Sequence, residues 1–496
     1  MKNKLNHPLF SLLLAVLFAL VFYTFNTLLG PSIGSDNAIY LTMGTALANG
    51  YAPYTDVFDH KGPVLFLLQA LPQALGGGYS TMAVFIQQVI FLFACLRVIH
   101  ALAFKFHLPC SFLPQVAYLA LICTHVGGGN LTEEYTNLFT LLAFLLIVCH
   151  FPPDCDKAPT RSLLYPATQI GALFMLCVLT RANNALPLAG AVLALTLCLL
   201  FSKDFRRLIS CILGFLAGSA VVLLPIVLWL VHHGALYEAF YASFLHNLMY
   251  AGTQGASRID TLFHSSYGHW AILMAAISCL AALILFLRTR RIALPAVLVS
   301  SAAMGGAAAF ISHKFYGHYL ILAAPAAVMG VCILLHAIPS LLHGRSRAIL
   351  GAVLCICVVW LGTQGANAMR SRIAECASLP EFTENAQALF AHVPEDERDQ
   401  FMGYRLEPKW YVAAKALPCM RFYFLQEVLA DADPAVMDEI VAEFHTQPPK
   451  WLVIYYDRPF YPPYDARVAE IFETQYEFVD AKGEYQLLRL KEKVDA

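Results

Sequence analysis

Long apolar runs recur along most of the chain, and they restrict its fold more than any other feature. Each is long enough to cross the roughly 30 Å hydrocarbon core of a bilayer as a helix. The composition agrees, because 59% of the residues are hydrophobic and 13% are charged, whereas about a quarter of a soluble domain is charged. The sequence therefore predicts a polytopic α-helical membrane protein with about eleven transmembrane helices, near residues 9–30, 80–104, 109–127, 135–152, 162–180, 184–201, 207–231, 268–287, 292–312, 316–337 and 348–365.

Basic residues indicate the orientation of these helices, because Lys and Arg are enriched in cytoplasmic loops. One set of connections contains Lys2, Lys4, Lys203, Arg206, Arg207, Arg288, Arg290 and Arg291. The opposite set contains Lys61, Arg181, Arg258 and Lys314. We expect a multi-pass protein of the inner or plasma membrane with a cytoplasmic N-terminus. An odd number of helices then places the C-terminal region outside the cytoplasm.

The composition changes past about residue 366, where acidic residues become frequent. EFTENAQALFAHV and DPAVMDEIVAEFHT have the pattern of amphipathic helices, and KWLVIYY and GEYQLLRL that of short strands. We predict a transmembrane catalytic domain over 1–366 and a small extracytoplasmic α/β domain over 367–496. The formal net charge of -1 argues against a nucleic-acid partner.

Four polar segments map to the outer side of the predicted helices. They are GSDNAIYLTMGTALANGYAPYTDVFDHKGP at 34–63, GGGNLTEEY at 127–135, TRANNALP at 180–187 and SHKFYGHYL at 312–320. For any one segment, charged side chains that cap a helix or reach to the interface are as good an explanation as a functional site. Four such segments on one side indicate a water-facing site at the outer leaflet.

The first of these segments contains an acid and a lysine with two interpretations each. Asp36 precedes apolar residues at helical spacing, which predicts an amphipathic helix in the membrane interface. Asp36 is either the N-cap of that helix or a carboxylate that takes a proton from a hydroxyl nucleophile. Lys61 either holds a lipid phosphate or reaches to the interface. Asp56, Asp59 and His60 lie in a Pro- and Tyr-rich turn and are interpreted as solvated.

The other three segments combine acids with donors that suit phosphate. Glu133 and Glu134 are adjacent acids at the start of a span, which favours a proton, a cation or a basic partner nearby. A helix N-terminus prefers acids in any case. The planar fork of Arg181 suits phosphate recognition. Further donors come from the last segment, at His313, Lys314, His318 and Tyr319. The two histidines have no recognisable spacing to further metal ligands, so the sequence does not favour a metal site.

In these segments the chain resembles the polytopic GT-C glycosyltransferases, nearly over its whole length and in order. The similarity is to the branch with protein O-mannosyltransferases, the aminoarabinose transferase acting on lipid A, and lipopolysaccharide galacturonosyltransferase-like relatives. NLTEEY looks like that branch's second acidic loop, TRANNA like its Arg-containing turn, FYGHYLILAAP like its late His-Tyr…Pro helix start, and PCMRFYF like a Pro–x–x–Arg–Tyr/Phe segment of its C-terminal domain. The most specific match is in the first outer loop, at Asp36, Tyr40, Gly50, Pro53, Tyr54, Lys61, Gly62 and Pro63.

The resemblance implies a polyprenyl-phosphate sugar as donor and an inverting transfer to an acceptor hydroxyl on the extracytoplasmic side. It implies that Asp36 is the general base, and that Glu133 or Glu134 orients the acceptor or, in some members, binds a metal. Lys61 and Arg181 are expected to bind the donor phosphate. The residues expected to line the cavity are Tyr40, Tyr54, His318, Tyr319 and Arg421.

One departure from the family concerns metal chemistry. The family often has an acidic pair at the first motif, whereas here Asp36 is followed by Asn37. This weakens a two-acid metal site, so a divalent metal is not favoured and no cofactor is expected.

The sugar and the acceptor stay open at this point. A hexose or a pentose fits the donor, and the acceptor is a lipid-linked glycan, a lipopolysaccharide, a polymer or a protein. Two other classes of function also remain. One is a lipid-linked glycan flippase or transporter, against which the lack of midplane charges and of a repeated half counts. The other is a non-catalytic assembly protein for envelope glycans.

Overall fold

The computed structural model describes residues 7–25, 33–108, 111–151, 163–251, 257–311, 314–341, 346–455 and 464–492. Lys2, Lys4 and His313 lie outside the described residues. The α-helices are α1 Pro8–Phe22, α2 Ser35–Ala48, α3 Pro63–Gly76, α4 Thr81–Lys105, α5 Phe112–Ile122, α6 Thr132–His150, α7 Leu164–Thr180, α8 Leu186–Phe201, α9 Phe205–His232, α10 Leu236–Phe240, α11 Asn247–Ala251, α12 Arg258–His264, α13 Ser266–Thr289, α14 Ala293–Phe310, α15 Ala324–Leu341, α16 Ser346–Phe390, α17 Lys409–Ala414, α18 Gln426–Ala432, α19 Ala435–Thr446 and α20 Ala466–Gln475.

Short helices of other types join some of these elements. The 3₁₀-helices are Ala182–Ala185, Gly317–Ala323 and Glu395–Gln400, and Tyr241–His246 is a π-helix between α10 and α11. The strands are β1 Phe401–Tyr404, β2 Trp451–Tyr455, β3 Tyr476–Lys482 and β4 Tyr485–Leu490.

The apolar helices confirm a polytopic membrane protein with a small C-terminal sheet. Within the described residues, eight helices are long and apolar enough to cross a membrane, and four shorter helices are also apolar. Within the described residues, every run predicted to span the bilayer overlaps one of these helices. The shorter run with Pro72 forms α3, with that proline inside the helix.

The described chain divides into two compact units. The first unit comprises Met1–Leu29, Phe85–Trp229 and Gln254–Ser371. The second unit comprises Gly30–Val84, Leu230–Thr253 and Arg372–Ala496. Helix α16 runs without interruption through residue 366. The domain division at 366/367 stays a prediction.

Small residues bring the helices of the first unit close together. A Cβ added at Gly218 on α9 would lie 1.8 Å from the carbonyl oxygen of Thr168 on α7. A Cβ added at Gly171 on α7 would lie 2.0 Å from the carbonyl oxygen of Phe215 on α9. Helices in a membrane gain stability mainly from such close packing, because lipid tails are as apolar as the side chains they replace. α8 packs against α14, and α13 packs against α14 and α15.

The second unit combines the segment of α2 and α3 with the C-terminal sheet. The strand order is β1-β2-β4-β3, with β1 and β2 parallel and the other neighbours antiparallel. Parallel strands need a long crossover, which α17, α18 and α19 supply here. α2 packs against α3 and α17. The Tyr79 hydroxyl, just after α3, donates to the Ala416 carbonyl at 2.5 Å.

The environment of α2 differs from the sequence prediction. A helix is present as expected, but every residue from Asn37 to Ala46 is buried. The expected amphipathic helix with one face in water is therefore wrong. The small residues of α2 allow this burial, since a Cβ at Gly44 would lie 2.7 Å from the backbone of Gln69 on α3.

Candidate active site

In the second unit, α2 places Asp36 at a helix start. Gly34 is the N-cap of α2, so the N-cap interpretation of Asp36 is wrong, and Asp36 lies in the first turn with its side chain partly exposed. A carboxylate there is stabilised by the helix dipole. Tyr40 follows one helical turn later, on the same face of α2. Asp36 therefore keeps access to water while the ten residues that follow it are buried.

Lys61 lies over the Tyr40 ring, with its ammonium 5.5 Å from the ring centroid. This distance is within the range of a cation–π interaction. The lysine is only 4% exposed, and its Nζ lies 3.4 Å from Oδ1 of Asp59. Burying a charge is costly unless it is paired, and Asp59 is the paired acid beside the buried Lys61 ammonium.

Asp59 is the centre of this charged turn. It is fully buried, and its Oδ1 accepts the backbone N–H of His60 at 2.8 Å and lies 3.1 Å from Nδ1 of the His60 ring. Burial by itself raises the pKa of the Asp59 carboxyl, but the charges of Lys61 and His60 and the His60 hydrogen bonds hold that pKa well below its usual range. The interpretation of Asp59 as a solvated residue is wrong, whereas His60 is partly exposed.

The backbone of the turn is fixed by three side chains. The Tyr54 hydroxyl donates to the Lys61 carbonyl at 2.9 Å, and the Ser243 hydroxyl donates to the same oxygen at 3.3 Å. The Asn247 amide donates to the His60 carbonyl at 2.7 Å. Ser243 belongs to the π-helix, a type of helix that often occurs at functional sites. These contacts fix the backbone from which the Lys61 side chain extends.

His246, at the end of the π-helix, is also buried beside this turn. Its ring centroid lies 5.9 Å from that of His60 and 5.7 Å from that of Phe58. Burial and the neighbouring charge of His60 lower the pKa of His246 to about 4. His246 is therefore neutral at neutral pH.

Arg421 is held by acids of the second unit. Its guanidinium forms ion pairs with Glu238 and, at 2.7 Å, with Glu439. It also lies over the rings of Phe58 and Phe422. The Phe58 N–H donates to the Arg421 carbonyl at 3.0 Å. Arg421 thus ties the C-terminal segment to the first outer loop, and its role in lining a cavity stays a prediction.

In the first unit, Arg181 forms a second charged cluster. Its Nη1 lies 3.0 Å from Oε1 of Glu133, and its Nη2 donates to the Tyr319 hydroxyl at 3.0 Å. Arg181 follows the last residue of α7, Glu133 is in the first turn of α6, and Tyr319 lies in the 3₁₀-helix before α15. The His318 ring packs edge-on against Tyr319 at 4.6 Å. The structure therefore joins three of the predicted polar segments through Arg181.

Glu134 points away from that cluster, although it adjoins Glu133. Its Oε2 accepts the backbone N–H of Leu131 at 3.1 Å and so caps α6. Its side chain lines a cavity of about 10 Å³ together with Gln88 and Tyr23. A cavity of this size holds about one water molecule. The two adjacent acids consequently occupy different surroundings.

A metal site is not found in the part of the chain that the structure describes. Within those residues, no three His, Cys, Asp or Glu side chains come together in a way that could hold an ion. Lys61 and Arg181 are each paired with a carboxylate, that of Asp59 and that of Glu133 respectively.

The fold is similar to that of the solved structures of ArnT and AglB. ArnT from Cupriavidus metallidurans bound to undecaprenyl phosphate matches with a TM-score of 0.62 and 16% identity over 97% of each chain. ArnT from the same organism in the apo state matches with a TM-score of 0.61 and 13% identity, again over 97% of each chain. A third match is AglB, the oligosaccharyltransferase of Archaeoglobus fulgidus, solved with an inhibitory peptide and a dolichol-phosphate. Its TM-score is 0.51 and its identity 11%, over 90% of this chain and 69% of the AglB chain. No protein-family model and no curated protein matches the sequence. At these identities the likeness establishes the fold.

Proposed function

We propose that the chain is a membrane glycosyltransferase that moves a sugar from a polyprenyl-phosphate donor to an acceptor hydroxyl on the extracytoplasmic side, with inversion. The observation that carries the proposal is the arrangement of Asp36, Tyr40 and Lys61. The Asp36 carboxylate has access to water and lies one helical turn from Tyr40. The Tyr40 ring in turn contacts the buried ammonium of Lys61. The bound undecaprenyl phosphate of ArnT supports a polyprenyl-phosphate donor for this fold.

The proposed chemistry is a single displacement at the anomeric carbon. The acceptor oxygen attacks that carbon while the Asp36 carboxylate takes its proton. The bond from the anomeric carbon to the phosphate oxygen breaks, and polyprenyl phosphate leaves with the electron pair. Attack from the face opposite the leaving group inverts the configuration. A positioned carboxylate typically accelerates such a proton transfer 10²- to 10⁴-fold, roughly.

Lys61 stabilises the leaving phosphate in this mechanism. Negative charge develops on the phosphate as the bond breaks, and a fixed cation in a dry site stabilises that charge strongly. Asp59 lies beside the ammonium and holds it in place. Arg181 is the residue of the first unit that we propose for phosphate binding, with Tyr319 and His318 beside it.

Glu133 and Glu134 are expected to differ in their effect on transfer. Glu133→Gln removes the charge that orients Arg181, and we expect transfer to fall about 10-fold or more, as for the loss of a charge-assisted hydrogen bond. Glu134→Gln keeps an oxygen for the Leu131 N–H, so transfer should stay within about threefold of wild type, consistent with a small effect of a conservative change. Initial rates of both purified variants measure this, and equal losses would contradict the assignment.

The donor itself is tested with purified wild-type protein in lipid vesicles that also contain a mixture of candidate acceptors, namely lipid-linked glycan, lipopolysaccharide, polymer and peptide, because the sugar needs a hydroxyl to which it is transferred. We expect one member of a panel of polyprenyl-phosphate hexoses and pentoses to be consumed, with release of polyprenyl phosphate detected by mass spectrometry. Movement of intact donor across the vesicle membrane without consumption would instead support a flippase. If correctly folded protein neither consumes nor moves any donor, the proposed function is wrong and an assembly role gains weight.

A further inference from the structure

A cleft of about 520 Å³ opens beside the first turn of α2, within the second unit. One side is formed by Gly34 and Ser35, immediately before Asp36. The other sides come from Ser378 on α16, from the segment 406–409 after β1 and from Leu425. A Cβ added at Gly34 would meet only an Asn37 atom, at 3.9 Å, so the entrance at the helix start is open.

The floor of the cleft is held in a strained backbone conformation. Leu425 and Arg405, which is adjacent to the lining segment, have φ of 47° and 58°, in the left-handed region. Such strain persists only where the surrounding structure enforces it, and it occurs often at ligand sites. The fully buried Gln426 enforces it here, since its Oε1 accepts the Arg405 N–H at 3.1 Å and its Nε2 donates to the Gly403 carbonyl at 3.0 Å.

The charge of the lining restricts what can bind. Glu375 and Glu407 line the cleft, and Lys409 is the one basic residue among its described lining residues. That ammonium is already engaged, at 2.8 Å from Oε2 of Glu407 and 4.7 Å from the centroid of the Phe382 ring. With two acids and one base, the described lining has an excess of negative charge. Like charges repel, so a phosphorylated or carboxylated ligand is disfavoured.

We propose that this cleft binds a neutral saccharide, which is the acceptor and presents its hydroxyl to Asp36. The volume lies within the range of small-ligand sites, roughly 300–1,000 Å³, which fits one or two sugar rings. Hydroxyl groups match the carboxylates of Glu375 and Glu407 and the hydroxyl of Ser378, because carboxylates accept hydrogen bonds without needing a cation. The assignment of the saccharide as acceptor rests on the proposed function, whereas its binding in the cleft does not.

The test is a binding measurement that needs no catalysis. The probes are methyl glycosides and disaccharides of glucose, galactose and mannose, each compared with its 6-phosphate, and binding to full-length protein is followed by saturation-transfer NMR. Ser378→Trp, at an exposed position of α16, fills the cleft. Ala391→Trp is the matched control, because Ala391 is also exposed and lines a separate cleft with Asn49 and Tyr51 at the other end of α2.

We expect a neutral saccharide to bind wild type and Ala391→Trp equally, and Ser378→Trp at least 10-fold more weakly. Glu375→Lys should raise the affinity for the 6-phosphate relative to the neutral sugar several-fold. Binding that survives Ser378→Trp, tighter binding of the 6-phosphates by wild type, or no binding of any neutral probe overturns the proposal. Donor consumption, measured separately, reports on the proposed function whichever of these results is found.

Discussion

Asp36→Asn is expected to reduce sugar transfer about 10²- to 10⁴-fold, the usual contribution of a general base. Asparagine has nearly the same shape but does not accept the acceptor's proton at neutral pH. Asp36 is partly exposed in the first turn of α2, with Gly34 as the N-cap, so the substitution removes no capping side chain. The fall should therefore appear in kcat, while the donor's KM changes little. Initial rates with the donor identified by the panel measure this effect.

Asp56→Asn is the matched control for this variant. Asp56 lies in the same outer loop, and its Oδ2 accepts the backbone N–H of Ala52 at 2.8 Å. The asparagine side chain keeps an oxygen for that bond, so transfer should stay close to wild type. Near-normal turnover of Asp36→Asn, or an equal loss in both variants, would contradict the assignment of Asp36 as base. Thermal unfolding of both variants in detergent checks that each is folded.

The membrane helices could be predicted because a bilayer imposes one simple requirement. A spanning helix needs about 20 apolar residues whatever its neighbours are, so composition along the chain locates α4, α6, α9, α13 and α14 without tertiary information. The C-terminal strands were harder to predict. β2 and β4 coincide with apolar segments that the sequence identifies, whereas β1 is only Phe401–Tyr404. A strand of that length gives too few residues for a periodic pattern.

The candidate site could be predicted in part. The motif in the first outer loop pointed to Asp36, Tyr40 and Lys61, and the structure places Lys61 over Tyr40. The environment of Asp59 could not be predicted, because an acid in a polar turn is usually solvated. Its burial depends on tertiary contacts around the turn, including the Asn247 amide, which is distant in sequence. In the sequence, the one indication of this buried ion pair was that Asp59 and Lys61 lie two residues apart.

Breaking the buried ion pair of Asp59 and Lys61 is expected to lower both stability and activity, for different reasons. Lys61→Met removes the cation and leaves the fully buried Asp59 carboxylate beside the His60 ring. Breaking a buried pair in this way costs about 3–5 kcal/mol, so we expect a lower unfolding temperature. Transfer should also fall about 10²- to 10³-fold, as for loss of a donor that stabilises developing charge. A single variant does not separate these two effects.

The double variant Asp59→Asn with Lys61→Met separates them. It removes both charges, and replacing a buried ion pair by uncharged groups often changes the free energy of unfolding little. We therefore expect the unfolding temperature to return towards wild type while transfer stays as low as in Lys61→Met, because the Lys61 ammonium that stabilises the leaving phosphate is still missing. Recovery of transfer together with stability would show that Lys61 is only structural. Asp59→Asn alone keeps the lysine but loosens its position, so its activity should lie between those of wild type and Lys61→Met, with the change mainly in the donor's KM.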